Sequence, residues 1–129
     1  MKKIIALMCV GLMLAGGLAF AGWQEGDLTA TVTNIGTAEP LTTGNIPFQR
    51  AIICAEQDNS GTIVIGSSTA VASAATRRGI PIVPIASTGG ECVKIDCGGE
   101  NCGNLNAIYI DTTVDTDGVN VWYSQNKVI

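Results

Sequence analysis

The chain has 129 residues, a formal net charge of −4 and no histidine. The lack of histidine excludes a Ser-His-Asp or Cys-His nucleophile and removes the commonest general base near neutral pH. Acidic residues outnumber Lys and Arg by 11 to 7, and we expect no nucleic-acid partner because phosphate binding requires clustered cations. The sequence also carries no cofactor motif, and we expect a non-enzymatic protein without a cofactor.

The N-terminus has the three parts of a secretory signal peptide. Lys2 and Lys3 supply positive charge, residues 4–18 form an apolar run interrupted only by glycine, and Ala19 and Ala21 mark a cleavage site. We predict that residues 1–21 are removed and that the protein is exported to the periplasm, the cell surface or the extracellular space, with no membrane span left. The rest forms one domain, with an N-terminal strand and loop at 22–46 and a β-sandwich core at 47–129.

The first half of this domain alternates between strand patterns and turn residues. Residues 28–33 alternate apolar and polar side chains, which predicts a half-buried strand. Residues 36–46 contain glycines, a proline and threonines without a helical period, which is typical of a loop. Two apolar runs, 48–56 and 62–66, flank the turn residues 58–61, and we predict that they form a hairpin.

The second half continues the same pattern. Residues 67–76 are small and weakly periodic, so a short helix and a loop remain alternatives. Two prolines in 79–84 predict a sheet edge or an extended connection, whereas 91–96, 106–112 and 119–123 are typical of strands. The fold class predicted is therefore all-β, an antiparallel β-sandwich or a jelly-roll-like small barrel of about six to eight strands, with little helix.

Four cysteines remain after the leader, an even number that predicts two disulfides in an oxidising compartment. If the strand predicted at 91–96 extends to 97, Cys92 and Cys97 lie about 16 Å apart at the usual rise, whereas a disulfide requires Cα atoms within about 7 Å. Cys97 and Cys102 flank a glycine-containing loop, so we predict a bond between them and a second bond between Cys54 and Cys92. A zinc site is disfavoured, because the spacing lacks a Cys-x2-Cys pair.

Aromatic residues are the candidates for a binding surface: Trp122, Tyr109 and Trp23. Alternation places Trp122 on the opposite side of its strand from Val121 and Tyr123, and an exposed ring there can anchor an interface or a carbohydrate. The interpretation we favour from the sequence is a Trp122 ring covered by the N-terminal segment or packed at the end of the sandwich.

The acidic residues are predicted to lie mostly in turns and on the wet faces of strands. Asp115 and Asp117 precede Gly118 in an oxygen-rich turn, which is a weak candidate for a calcium site. The complete calcium-loop pattern is missing, and an ordinary hairpin turn explains the same residues. Arg77 and Arg78 are predicted to form an exposed, protease-sensitive loop.

The order of strands and turns resembles small β-sandwich proteins encoded among tailed-phage structural genes, which serve as virion accessory or fibre-like subunits. The resemblance covers about residues 47–124 and implies a structural protein rather than an enzyme. A signal peptide and disulfides are unusual in such subunits and favour an exported surface protein. The segments that carry the resemblance are 51–55, 58–61, 63–66, 79–82, 93–96, 105–111 and 118–123.

Three functions follow from this reading. The first is an exported structural or interaction subunit, displayed on a surface or on a virion, that binds a protein partner or itself. The second is a periplasmic or secreted module that binds carbohydrate or another small ligand. The third is a pilus-like assembling subunit whose strand at 28–33 inserts into a neighbour.

Overall fold

The computed structural model describes residues 22–85 and 90–127, with the backbone alone described for 22–24 and 127. The predicted signal peptide at 1–21 lies outside the described residues. Within them, no helix is long and apolar enough to cross a membrane.

The described residues form ten strands and a single turn of 3-10 helix at Leu105–Ala107. Seven strands have three or more residues, within the predicted range, and three have only two. The strands are β1 (Gly22–Thr31), β2 (Glu39–Pro40), β3 (Pro47–Phe48), β4 (Arg50–Ala55), β5 (Ile63–Gly66), β6 (Ile80–Ile82), β7 (Cys92–Asp96), β8 (Gly103–Asn104), β9 (Tyr109–Thr112) and β10 (Gly118–Lys127).

Two four-stranded antiparallel sheets build the molecule. Sheet I has the order β1-β10-β4-β7, and sheet II has the order β2-β9-β5-β6. Strands β3 and β8 form a small two-stranded sheet. This arrangement confirms the predicted all-β, sandwich-like fold. Segment 22–46 contributes β1, which pairs with β10 over its whole length, and β2, which pairs with β9.

The core lies between the sheets because one side of each main strand is apolar. In sheet I, Ile53 and Val121 point inward and are fully buried, and Ile63 and Ile110 do the same from sheet II. Gly26 on β1 allows the Tyr123 ring of β10 to lie close to the backbone, since a Cβ at this glycine would overlap the ring. The predicted alternation in strands 28–33, 91–96 and 119–123 is therefore confirmed.

The predicted hairpin of residues 48–56 and 62–66 is wrong, because β4 and β5 lie in different sheets. The turn between them carries the chain across the sandwich. Asn59 bonds through its side chain to both the N–H and the C=O of Gly118, at 2.8 and 2.7 Å. The Asp117 carboxylate accepts from the N–H of Gly61 at 2.6 Å. These contacts hold the turn against the start of β10 and prevent a direct return alongside β4.

Three more of the predicted segments differ in how closely the structure follows the prediction. Residues 67–76 contain turns and no helix, and Val71 forms an isolated bridge with Arg78. The proline-containing strand β6 is an edge of sheet II, as predicted. The predicted strand 106–112 begins only at Tyr109, because Asn104 caps the preceding 3-10 turn by accepting from the N–H of Asn106.

Both predicted disulfides are present. Cys54 and Cys92 are direct partners on β4 and β7, and their Cα atoms are 4.0 Å apart. Cys97 and Cys102 close the loop after β7, with Cα atoms 5.7 Å apart. Two such bonds in a small domain indicate an oxidising environment.

Candidate functional site

Trp122 is exposed in the middle of a sheet. Its neighbours along β10, Val121 and Tyr123, pack against the core, so alternation turns the Trp122 side chain to the outer face of sheet I. The ring is 49% exposed, although strands lie on both sides of β10. Among the described residues, Trp122 is neither covered by the N-terminal segment nor packed at the end of the sandwich, so the interpretation as a covered ring is wrong there and the interpretation as an exposed ring holds.

The register of sheet I determines which side chains surround the ring. In the row of Trp122, Asp27 lies opposite on β1 and Ile52 on β4, with Lys94 beyond it on β7. The next row contains Ser124, flanked by residues of both signs. We call the members of these two rows the Trp122 face: Glu25, Asp27, Arg50, Ile52, Lys94, Asp96, Trp122 and Ser124.

Two members of the Trp122 face, Arg50 and Asp96, form an ion pair. The Arg50 guanidinium lies 2.9 Å from the Asp96 carboxylate, and a second guanidinium N–H donates to the same oxygen at 3.0 Å. The N–H of Gly98, followed by the charge of Arg50, holds the pKa of the Asp96 carboxyl below its usual value. Both side chains are substantially exposed, so the pair contributes little to the stability of the fold. It does hold the planar Arg50 guanidinium in a fixed orientation on the same face as the Trp122 ring.

Ser124 is the buried polar member of the Trp122 face. It is only 9% exposed, and its hydroxyl oxygen is buried without a hydrogen-bond partner among the described residues. Ser124 lines a shallow depression of about 280 Å³ together with Glu25, Arg50, Ile52 and Trp122. An apolar ring and charged groups of both signs, from Glu25 and Arg50, therefore meet in one hollow.

The other two aromatic candidates are not shown to join Trp122. Tyr109 lies on β9 in sheet II, half-buried, and its neighbour Ile110 points into the core. It therefore lies on the other side of the sandwich. Trp23 is on β1, opposite Asn126, and its side chain lies outside the described residues.

Asp115 and Asp117 serve separate loops rather than one oxygen cluster. Asp115 accepts from the N–H of Ile35 at 3.0 Å, and Asp117 accepts from the N–H groups of Ser60 and Gly61. Within residues 22–85 and 90–127, no group of three or more Cys, Asp, Glu or His side chains is placed to hold a metal. Both carboxylates therefore stabilise loops by accepting hydrogen bonds from backbone N–H groups.

One acidic residue departs from the prediction that acids lie in turns and on wet faces. Asp111 is fully buried on β9. One carboxylate oxygen accepts from the N–H of Gly36 at 2.8 Å, and the other accepts from the N–H of Ala72 at 2.7 Å. This buried acid therefore joins two loops to sheet II through backbone donors.

A second depression, of about 430 Å³, lies beside these loops. Ile35, Gly36, Ser73 and Thr113 are among its lining residues. Its lining within the described part of the chain is apolar or uncharged, so these residues offer less to orient a ligand than the Trp122 face does.

Sequence reasoning found Trp122 but not its surroundings. Alternation along one strand identifies the outward ring, whereas Arg50, Ile52 and Lys94 join it only through pairing between distant segments. The alternating pattern of β4 could have identified Arg50 and Ile52 as outward-facing, since they must face away from buried Ala51 and Ile53.

Comparison of the chain with family models, with curated proteins and with solved structures finds no match.

Proposed function

We propose that this protein is an exported, non-enzymatic interaction subunit that binds its partner through the Trp122 face. The exposed position of Trp122 at the centre of sheet I is the observation that carries this proposal. Trp is enriched among the residues that dominate binding energy, particularly where polar groups surround it. Here Asp27 and the Arg50–Asp96 pair supply such a rim.

The location follows from two further features. The leader pattern at 1–21 supports export, and the disulfides are stable only where thiols are oxidised. We propose display on a cell surface, or on a virion as the resemblance to tailed-phage accessory subunits suggests. In either place, a rigid sheet face is a stable platform for recognition.

A titration of the fluorescently labelled protein on intact cells of its producing organism tests this proposal. We expect Trp122→Ala to weaken binding about 30-fold or more, because loss of an anchoring Trp typically costs 2 kcal/mol or more. Ile80→Ala is the matched control, since Ile80 is 55% exposed but lies on β6 in sheet II.

Circular dichroism should show the same fold for both variants. Equal binding by wild-type protein and Trp122→Ala would reject the Trp122 face as the binding surface. An equal loss in both variants would also reject it, because the effect would then not be specific to sheet I.

Carbohydrate is a second candidate ligand for the same face. The depression of about 280 Å³ beside the ring is lined by the charged groups of Glu25 and Arg50, which suit a polyhydroxylated ring stacked on an indole. A glycan array should then show binding that Trp122→Ala abolishes and Trp122→Phe partly retains. Absence of signal on the array, combined with Trp122-dependent binding to cells, would favour a protein partner.

The pilus-like alternative has a specific requirement. Strand β1 pairs with β10 of its own chain from Gly22 to Thr31, so insertion into a neighbour requires this pairing to exchange between chains. Such exchange would produce concentration-dependent polymers, which sedimentation analysis detects.

A further inference from the structure

The two main sheets have four edge strands, and three of them are protected against pairing. Strand β2 has two residues and includes Pro40, β6 has three and includes Pro81, and β7 has five and carries Lys94. Short length, proline and lysine are the usual devices that prevent edge-to-edge association. These three strands are therefore poor sites for strand addition.

Strand β1 is the unprotected edge. It has ten residues, from Gly22 to Thr31, without proline, lysine or arginine, and among the described strands it has only β10 as a neighbour. A long edge of this kind is a template for another strand. The contrast with the other three edges indicates that β1 is kept open for an interface.

The hydrogen-bond pattern identifies the groups that face this open edge. The N–H of Val32 donates to the C=O of Asp117, and the N–H of Glu56 donates to the C=O of Gly118. Even-numbered residues of β1 therefore bond to β10, because the direction of the backbone groups alternates along an antiparallel strand. The N–H and C=O groups of Glu25, Asp27, Thr29 and Thr31 point outward.

Charge selects the register for a second copy of β1. An antiparallel partner must oppose odd-numbered residues to odd-numbered ones, and Asp27 opposite Asp27 or Glu25 opposite Asp27 would place acid against acid, which is unfavourable. The longest register without such a pair centres on Leu28. It places Asp27 opposite Thr29 and Glu25 opposite Thr31, so that each carboxylate faces a hydroxyl donor.

We propose that two copies of this chain associate through their β1 edges, antiparallel, about a two-fold axis at Leu28. The half-buried Leu28 side chains, which contact the core of each copy, then meet on the inner face. The two copies of sheet I become one continuous eight-stranded sheet. The like charges at the other registers make this the preferred arrangement.

Such a dimer has a consequence that rests on the proposed function. The axis is perpendicular to the sheet, so both Trp122 faces lie on the same side, with their Trp122 positions about 16 Å apart given the usual strand spacing and rise. The dimer is then bivalent toward a surface that repeats its binding site, and avidity strengthens attachment.

Sedimentation equilibrium tests the dimer on protein produced from its full sequence in an exporting host. Wild-type protein is expected at twice the mass of one chain. Thr29→Pro removes an outward N–H without touching the bonds to β10 and should give a monomer. Thr29→Ala keeps the N–H and should remain dimeric. Monomeric wild-type protein, or loss of the dimer in Thr29→Ala, would overturn the proposal.

Cysteine cross-linking tests the register and does not depend on the folding of the proline variant. In the proposed dimer, residue 27 of one copy lies opposite residue 29 of the other, at about 5.5 Å between Cα atoms, within disulfide range. A mixture of Asp27→Cys and Thr29→Cys should therefore form a disulfide-linked heterodimer. Cross-linking of Asp27→Cys to itself would contradict the Leu28-centred register.

The two proposals fail separately. Trp122→Ala should remain dimeric while it loses binding, because Trp122 lies on β10 and not at the β1 edge. The monomeric Thr29→Pro variant should retain Trp122-dependent binding with weaker apparent affinity on cells. Equal apparent affinity of monomer and dimer would reject bivalent attachment.

Discussion

Asp111 is the buried charge on which two surface loops depend. Its carboxylate accepts from the N–H groups of Gly36 and Ala72, and it is completely inaccessible to solvent. A carboxylate can accept both bonds at once, whereas an amide presents a donor to one of the two N–H groups. Asp111 therefore acts as a structural acceptor, and a substitution by Asn must leave one buried N–H without a partner.

We predict that Asp111→Asn lowers the free energy of unfolding by about 2 kcal/mol, the usual cost of a lost bond to a charged group. The loop that contains exposed Arg77 and Arg78 should also be cut faster by trypsin, because Ala72 anchors it. Urea denaturation and limited proteolysis measure the two effects. In the control Asp115→Asn, only an exposed bond to Ile35 is affected, and a comparable loss there would contradict the role assigned to burial.

The Glu56 carboxyl has its pKa shifted in the opposite direction from those of Glu39 and Asp96. Burial, followed by the nearby carboxylates of Asp58 and Asp117, raises the pKa of the Glu56 carboxyl. A carboxyl whose folded pKa exceeds its unfolded value stabilises the fold when it is protonated. That stability is fully present below the unfolded pKa and is lost as the pH rises through the folded value.

We predict that Glu56→Gln is more stable than wild type at pH 7, by no more than about 1 kcal/mol, the scale of exposed charge interactions. The difference should vanish when the acid is protonated, below about pH 4. Glu39→Gln is the control of opposite sign, since the Thr33 hydroxyl is the main cause that lowers the pKa of Glu39. Thermal denaturation at both pH values measures these shifts, and a less stable Glu56→Gln at pH 7 would contradict the prediction.

At the scale of elements, local sequence patterns were sufficient to predict a strand wherever one of its faces is buried. Alternation in 91–96 and 119–123 predicts strands with the observed inward faces, and paired prolines predict the edge position of β6. The two-residue strands β2, β3 and β8 were not predicted, because their length is too short for any period. Strand existence is thus largely a local property in this chain.

Strand pairing is not a local property. The apolar runs at 48–56 and 62–66 satisfy a hairpin pattern, but the contacts that separate them come from Asn59 and Asp117 to the start of β10. These contacts span more than fifty residues. The surroundings of Trp122 depend on the same kind of long-range register. Sequence reasoning therefore predicted the central residue of the candidate site, but not Arg50, Ile52 or Lys94 beside it.

The whole molecule places its first and last described strands side by side. Strands β1 and β10 pair over ten residues, so closure of sheet I requires two segments far apart in the described sequence to meet. Such non-local pairing carries a large loop-closure entropy. Covalent bonds that reduce the conformational freedom of the unfolded chain offset part of that entropy. The two disulfides lie at the β7 edge of sheet I, on β7 and in the loop that follows it.

The two disulfides should contribute unequally, because the loops they close differ in length. Cys54 and Cys92 are 38 residues apart, and Cys97 and Cys102 are 5 apart. Chain entropy then gives about 4 kcal/mol for the first bond and about 2 kcal/mol for the second. We predict these losses in urea denaturation of Cys54→Ala/Cys92→Ala and Cys97→Ala/Cys102→Ala, respectively. A larger loss from the short loop would show that contacts around Cys97, rather than unfolded-state entropy, dominate. Domains of this size have a free energy of unfolding of about 5 to 15 kcal/mol, so removal of both bonds should leave the folded state only marginally stable.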